Sequence, residues 1–266
     1  MEYRISVIMG IYNCAPTLAE ALDSLIAQTY QNFKVIMCDD GSKDSTVDVA
    51  QSYVERYPQK FILIRNERNM KLAASLNNCL QYADTEYVAR MDGDDTCAPE
   101  RFEILINFLD SHPEYSHVST SMKLFDEDGF YGQTKPMPEI PDKSQFKTGT
   151  PYCHAPTMFR RSTLSAVGNY TAEARVERIE DYYLWYKIHK AGFQGYNMPQ
   201  PLYFMRNDKN AFARRRFKDR LKVFFIKKEV CKGLGIKGGF FYAVMDVAKG
   251  FVPMAFVHKL KKSGII

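Results

Sequence analysis

The chain is expected to fold as an α/β protein around a mostly parallel sheet. Three observations lead there. Apolar, β-branched runs alternate with stretches of helical periodicity in units of about 30 residues, the size of a strand–crossover–strand unit. Two acidic clusters, Asp39-Asp40-Gly41-Ser42 and Asp92-Gly93-Asp94-Asp95, each follow one of the apolar runs. The 266 residues are 45% hydrophobic and 25% charged, enough to bury a core, which excludes disorder, collagen and coiled coil.

Taken in order, Tyr3 to Ile11 reads as a buried strand ending at Tyr12-Asn13. After Pro16, Thr17 and Glu20 form a capping-box pattern, and Leu18, Ala21, Leu22, Leu25 and Ile26 recur at helical spacing. Phe33 to Cys38 is a second strand. A helix begins near Asp44, with Val47, Ala50 and Val54 on one face. Phe61 to Ile64 is a third strand, Leu72 to Ala83 a third helix, and Tyr87 to Met91 a fourth strand. Pro99 opens a helix whose apolar face carries Phe102, Leu105, Ile106 and Leu109. Beyond Ser116 the pattern loosens: His117 to Phe125 is a strand and Asp126 to Gly129 a turn. Residues 135–151 contain four prolines and read as a long loop of the kind that binds or covers a ligand. Glu180 to Ala191 returns to helix and includes the single tryptophan, Trp185.

Six scattered cysteines without a C-x-x-C pair suggest reduced thiols rather than a disulfide frame or a zinc site. No basic leader or stretch of 18 apolar residues is found, so neither a signal peptide nor a spanning helix is expected. The net charge of +5 is uneven: from Arg214 to Ile266 there are 14 Lys and Arg against three acidic residues, net +11, which leaves −6 on the remainder. A basic tail on an acidic body points to an anionic partner for the tail alone.

In open parallel sheets ligands collect at the carboxyl ends of the strands, where both acidic clusters fall. Asp92-Gly93-Asp94-Asp95 offers hard oxygen ligands suited to Mg²⁺ or Mn²⁺, and Gly93 leaves room for close approach. The cluster at Asp39-Asp40 is either a strand-to-helix turn whose acids favour the helix N-terminus or a carboxylate that accepts hydrogen bonds from a nucleobase or ribose. Glu180-Asp181 likewise either simply starts a helix or supplies a base.

The segments SVIMGIYN, QTYQNFKVIMCDDGSKDST, NMKLAASLN, YVARMDGDD, HAPTMFRRS and IEDYYLWYKI, in this order over residues 3–210, resemble the family 2 glycosyltransferases of the GT-A fold. The resemblance implies a Rossmann-like, mostly parallel sheet flanked by helices. It also implies a nucleotide-sugar donor, commonly UDP-linked, and transfer with inversion. On that basis Tyr12 and Asp40 line the uridine pocket with Asp39 beside them. Asp94 is the principal ligand of a Mn²⁺ or Mg²⁺ bridging the diphosphate, and Asp92 lies near the ribose or the same ion. Asp181 is the general base. His154, Glu180, Trp185 and Arg206 are candidate acceptor or phosphate contacts, with Trp185 either core or a platform for a sugar face. Inverting chemistry fits this division of labour: a carboxylate takes the acceptor's proton while a cation stabilises the departing diphosphate.

Three departures from the family pattern stand out. Lys71 replaces a glycine common in relatives, and either faces the donor or sits on a helix surface. A common R-x-H becomes Arg206-Asn207-Asp208, where Asp208 is a substitute oxygen ligand. The absence of Q-x-x-R-W favours addition of one sugar per encounter over processive synthesis.

The expected organisation is a catalytic domain, 1–213, and a basic helical extension, 214–266. In the extension Phe241, Val244, Met245, Ala248, Phe251, Val252, Ala255 and Phe256 fall at helical spacing around Pro253. It is expected to lie on an anionic membrane surface, or else to pack on the catalytic domain or a second subunit. Nucleic acid is not expected, because no recognition motif accompanies the charge. The reading is a metal-dependent hexosyltransferase on the cytoplasmic face of a bacterial membrane, acting on a growing, lipid-linked glycan of a capsule or related polysaccharide. Its rivals are a sugar-phosphate nucleotidyltransferase, disfavoured because Gly10-Ile11-Tyr12-Asn13 has no G-x-G, and a non-catalytic membrane-associated scaffold of the same fold, disfavoured by the intact Asp92, Asp94 and Asp181.

Overall fold

The computed structural model of the protein describes residues 3–207 and 217–248. The first half alternates β1 (Ile5–Ile11), α1 (Ala15–Ile26), β2 (Phe33–Asp39), α2 (Thr46–Arg56), β3 (Phe61–Arg65), α3 (Leu72–Gln81) and β4 (Tyr87–Arg90). These four strands are parallel in the order β3-β2-β1-β4, with Ile5 beside Phe33 on one side and Tyr87 on the other. Every residue of β2 is buried, as expected of a parallel strand covered on both faces. Alternate residues feed two cores: Val7, Met9, Val35 and Met37 pack on one face, Ile8, Ile36, Cys38 and Val88 on the other.

The sheet then changes direction. After β5 (Thr96–Cys97) and α4 (Arg101–Ser111) come β6 (His117–Asp126), β7 (Gly129–Gln133), β8 (Met158–Arg160), α5 (Arg161–Ala166), α6 (Glu180–Lys190) and β9 (Gly195–Arg206). The order continues β4-β8-β6-β9-β5, with β8 antiparallel to both β4 and β6, and β9 parallel to β6. The expected mostly parallel sheet is therefore the first half, extended by a mixed half.

One local expectation is corrected and a second, the 135–151 loop, is borne out apart from one short turn. Helix α1 starts at Ala15, ahead of the anticipated capping box, and its N-cap residue Cys14 makes no side-chain cap bond. The Thr17 hydroxyl instead donates to the carbonyls of Cys14 and Gly93, tying the helix start to the second acidic loop. The 135–151 segment is pinned at several points. A 3-10 turn at Lys143–Lys147 begins where Asp142 accepts from the Ser144 amide at 2.6 Å, and Phe146 is fully buried. The Asn197 amide donates to the carbonyls of Pro138 and Pro151, 2.9 Å each.

The tail begins as α7 (Phe217–Gly233) and α8 (Gly239–Ala248). Ile226, Val230 and Cys231 of α7 are buried in the same core as Leu184 and Trp185 of α6. The outer side of the pair leaves Leu221, Phe225, Phe240, Phe241, Val244 and Met245 exposed. The helix pair thus packs on the catalytic body and also presents an apolar surface. Among the described residues no helix is long and apolar enough to cross a membrane. Asp208, Arg214 to Arg216 and the stretch from Phe251 to Phe256 lie outside the described residues.

Candidate active site

The site is built where β1, β2 and β4 end. Their loops are stitched together: the Asn13 amide donates to Ser42 Oγ at 3.0 Å, the Lys43 amide to Asn13 Oδ1 at 2.8 Å, and the Cys14 amide to Thr46 Oγ1 at 2.8 Å. A Cβ on Gly93 would come within 2.8 Å of Cys14 Sγ and 3.3 Å of Ile11 Cγ2, so only glycine lets the β4 loop lie this close to the β1 loop.

A cavity of about 450 Å³ opens here, lined by Gly10, Ile11, Tyr12, Asp40, Asn69, Lys71, Ser75, Glu177, Arg178 and Glu180, among others. Its volume suits a small-molecule ligand. Asp40 is its structural hinge: Oδ1 accepts from the Met70 amide at 2.6 Å and Asn66 Nδ2 at 2.8 Å, and Oδ2 from the Lys71 amide at 2.9 Å. These bonds hold Lys71 at φ +74°, a left-handed conformation that costs a lysine more than a glycine. Tyr12 is exposed at the rim.

Asp39 does not join the cavity lining. It is fully buried, accepts from the Ser42 amide at 3.2 Å and faces Arg65 Nε at 3.6 Å, so it holds the β2 turn. The expectation that it sits beside Asp40 in the pocket is corrected: consecutive strand residues point to opposite faces.

Asp92, Asp94 and Asp95 bring carboxylate oxygens within 4.8 Å of one another, the one group among the described residues with this donor density. An all-carboxylate set matches a hard divalent ion. Burial, reinforced by Asp92 and Asp94, drives the Asp95 carboxyl well above the usual range. Such repulsion among acids is what a cation relieves. Arg90, absent from the sequence reading, grips Asp92 through two bonds of 2.9 and 2.6 Å. Burial opposes the Arg90 charge, yet the Asp92 carboxylate more than restores it. The signal was available: an arginine inside the apolar run Tyr87–Met91 needs a buried partner. Arg206 donates from Nε to the Asp94 carbonyl at 3.0 Å, from its amide to Asp95 at 2.8 Å, and also pairs with Glu20. It braces the acidic loop from behind, which corrects its assignment to acceptor or phosphate.

At the start of α6, neighbouring acids face different spaces. Glu180 lines the large cavity, whereas Asp181 lines a second one of about 170 Å³ with Thr150, Ile179, Tyr182, Val223, Ile226 and Lys227 among others. Burial, and then the Asp181 charge, raises the Glu180 carboxyl to about 7. Burial also raises Asp181, partly offset by the Tyr182 amide at 2.7 Å and by Arg90. Arg90 is paired directly with Asp92, and its charge also lowers the Glu180 and Asp181 carboxyls slightly from a distance.

His154 is half-buried and its Nε2 pairs with the Tyr170 hydroxyl at 2.8 Å. Burial, with the nearby Arg90, keeps the imidazole neutral by lowering its pKa. Trp185 is fully buried, stacked on His117 and Phe159 at 5.0 and 5.5 Å between centroids. A residue so enclosed cannot serve as a sugar platform, and the core alternative replaces it. All six cysteines are free.

Residues 6–168, more than half of the chain, match the family profile Glycosyl transferase family 2. The chain is 38% identical over 264 residues to the putative glycosyltransferase EpsE of Bacillus subtilis (strain 168), covering 99% of this chain and 95% of that protein. It is 25% identical over 267 residues to WfaP of Escherichia coli, named as a UDP-Glc:alpha-D-GlcNAc-diphosphoundecaprenol beta-1,3-glucosyltransferase, covering 97% and 98%. The fold is similar to S. aureus TarS 1–349 in complex with UDP-GlcNAc, at TM-score 0.67, 19% identity and coverage of 92% and 71%.

Proposed function

The chain belongs to the family 2 glycosyltransferases and is a glycosyltransferase of the GT-A fold, and from that premise we propose a specific reaction. It transfers a hexose or N-acetylhexosamine, one residue per encounter and with inversion, from a UDP-sugar to a lipid-linked glycan of a bacterial surface polysaccharide. WfaP, similar along nearly its whole length, is named for a UDP-sugar donor and a diphosphoundecaprenol-linked acceptor. The observation that carries the reading is the grouping of Tyr12, Asp40, Lys71 and Glu180 around one cavity whose wall residue Ile11 lies against Gly93 of the loop that carries the Asp92–Asp94–Asp95 cluster.

Each residue has a task that its surroundings support. Asp40, already holding three donors, offers remaining acceptor capacity to the imide N–H of uracil. Tyr12 covers the base from the rim, and Lys71 supplies positive charge toward the diphosphate. Asp94 and Asp92, with Asp95, would hold Mn²⁺ or Mg²⁺. When bound, that ion neutralises charge gathering on the departing diphosphate. Asp181 takes the proton of the acceptor hydroxyl as its oxygen attacks the anomeric carbon opposite the leaving UDP. Burial makes Asp181 a stronger base than an exposed aspartate. Glu180, on the cavity wall, and His154, paired with the Tyr170 hydroxyl, are assigned as hydrogen-bonding groups toward sugar or phosphate.

The apolar outer face of α7 and α8, which belong to the net-positive sequence segment from Arg214 to Ile266, supports peripheral attachment to an anionic membrane where such an acceptor resides. The test is UDP release from a panel of UDP-sugars with and without Mn²⁺. Metal-dependent release from at least one UDP-sugar is expected. Release of pyrophosphate from a nucleoside triphosphate and a sugar phosphate, without UDP, would reject the reading.

A further inference from the structure

Among the described residues, four that are not glycine hold a positive φ: Asn13, Lys71, Asn169 and Arg178, at +48°, +74°, +55° and +71°. Asparagine enters this region readily, whereas lysine and arginine seldom do. The two unusual cases are both basic, lie far apart in the chain, and line the same large cavity. We infer that Arg178 is a second cation, joining Lys71, that binds the diphosphate of the nucleotide-sugar donor. The inference rests on the reading of that cavity as the UDP site.

Both backbones are held in the same way. The Asp40 carboxylate accepts from the Lys71 amide at 2.9 Å, and the Glu180 carboxyl accepts from the Arg178 amide. An acid on the cavity wall thus fixes each basic residue in a conformation that only glycine adopts without strain. Strain of this kind persists where the surroundings impose it, and it gathers at ligand clamps.

The segment 171–178 that carries Arg178 is itself pinned. Tyr170, just before it, exchanges two bonds with Asn77 of α3, at 2.9 and 3.0 Å. Arg175 donates to Glu173 and to Glu229 of α7, 2.7 Å each, and to the Tyr183 hydroxyl at 2.9 Å. Glu177 pairs with Lys222 of α7 at 3.0 Å. Of the segment's two arginines, Arg178 is the one that lines the cavity. A side chain carried on so fixed a backbone gives up less freedom when a ligand arrives.

Charge favours the diphosphate as the group it meets. Asp40, Glu177 and Glu180 also line the cavity, so a phosphate is repelled along much of the wall and is held where cations outweigh the acids. The Glu177 carboxyl, lowered chiefly by its bond to Lys222, is lowered further by Lys71 and Arg178, so both cations act on one stretch of wall. The arginine fork can take two phosphate oxygens at once, while the lysine adds a point charge. Uracil and ribose are neutral and gain nothing comparable.

The experiment is Arg178→Gly, which accepts the positive φ without strain and removes the guanidinium. UDP affinity is read by calorimetry in Mn²⁺, and uridine affinity by NMR titration. UDP binding is expected to weaken at least tenfold, the scale of a lost hydrogen bond to a charged group, with uridine binding within twofold of the parent. UDP affinity within twofold of the parent would overturn the inference and leave the proposed function intact. Equal losses for UDP and uridine would also overturn it, since Arg178 would then shape the cavity rather than bind phosphate. Absence of UDP binding by the parent would remove the proposed function, and this inference with it.

Discussion

At the scale of single residues, the chemistry depends on which charges are buried together. Arg90, buried and paired with Asp92, keeps that carboxylate compatible with a poorly solvated site. Asp181→Asn is expected to reduce transfer by 10³-fold or more, on the order of general-base loss, with UDP affinity nearly intact; near-normal turnover would remove the base assignment. Asp94→Ala should weaken UDP binding about tenfold or more in Mn²⁺ and little in chelator, measured by titration calorimetry.

The pH dependence follows from the raised carboxyls. A base acts as its anion, so with Asp181 raised above the ordinary aspartate range the rate should climb with pH through that raised value. Glu180, raised to about 7, is neutral in the folded protein below that pH and ionised in the unfolded chain above about 4.5. Its contribution to stability is therefore present at acid pH and lost as pH rises through 7. Glu180→Gln should raise Tm at pH 8 by about 2–4 °C if it relieves about 1 kcal/mol, and should leave Tm unchanged at pH 4.

At the scale of elements, the first four strands and their helices were legible because apolar runs and helical spacing agree with their fold. What was missed has identifiable causes. Strand β9 contains Pro199 and Pro201, which read as breakers, yet its pairing with β6 absorbs them through register shifts near Ser121. Strands β5 and β8 are two and three residues long, too short for any period to appear. In the site, Asp40, Asp92 and Asp94 stood out as acids after strands, while Asp39 was placed in the pocket and Trp185 was left between core and platform because sequence does not say which side of an element faces the cavity. Arg90 was hidden by its place in an apolar run.

Lys71 shows how an element and a residue interact: the Asp40 carboxylate imposes a positive φ at the start of α3. Lys71→Gly should stabilise the fold by about 1 kcal/mol, near the low end of the cost of such strain, while weakening UDP binding; a gain in UDP affinity would reject its donor role. The tail has a comparable joint. Asp246→Ala leaves the buried Lys227 ammonium without its carboxylate, and should cost about 3 kcal/mol, read as a drop in the urea midpoint.

At the scale of the whole molecule, the sheet gathers loops from residues 12, 40, 71 and 92–95, and α6 faces the cavity with Glu180, while Asp181 opens on the second cavity. The C-terminal helices do two things at once. Ile226, Val230 and Cys231 complete the core around α6, so removing residues 214–266 would expose that core as well as remove the basic segment. The cleaner test of attachment is Phe240→Glu with Phe241→Glu, two exposed positions, which should move the protein from vesicles of anionic phospholipid to the supernatant without changing Tm. Unchanged partitioning would reject the membrane face.

The proposed reaction requires that the strand-end acids form a metal-assisted UDP site. The most direct measurement is UDP titrated into the protein by calorimetry, with Mn²⁺ and then with EDTA, for the parent chain, Asp40→Ala and Asp94→Ala. A metal-assisted UDP site gives binding in Mn²⁺ that weakens at least tenfold in EDTA and in both variants. UDP affinity that is the same in all of these conditions, or no UDP binding by the parent chain, would contradict it.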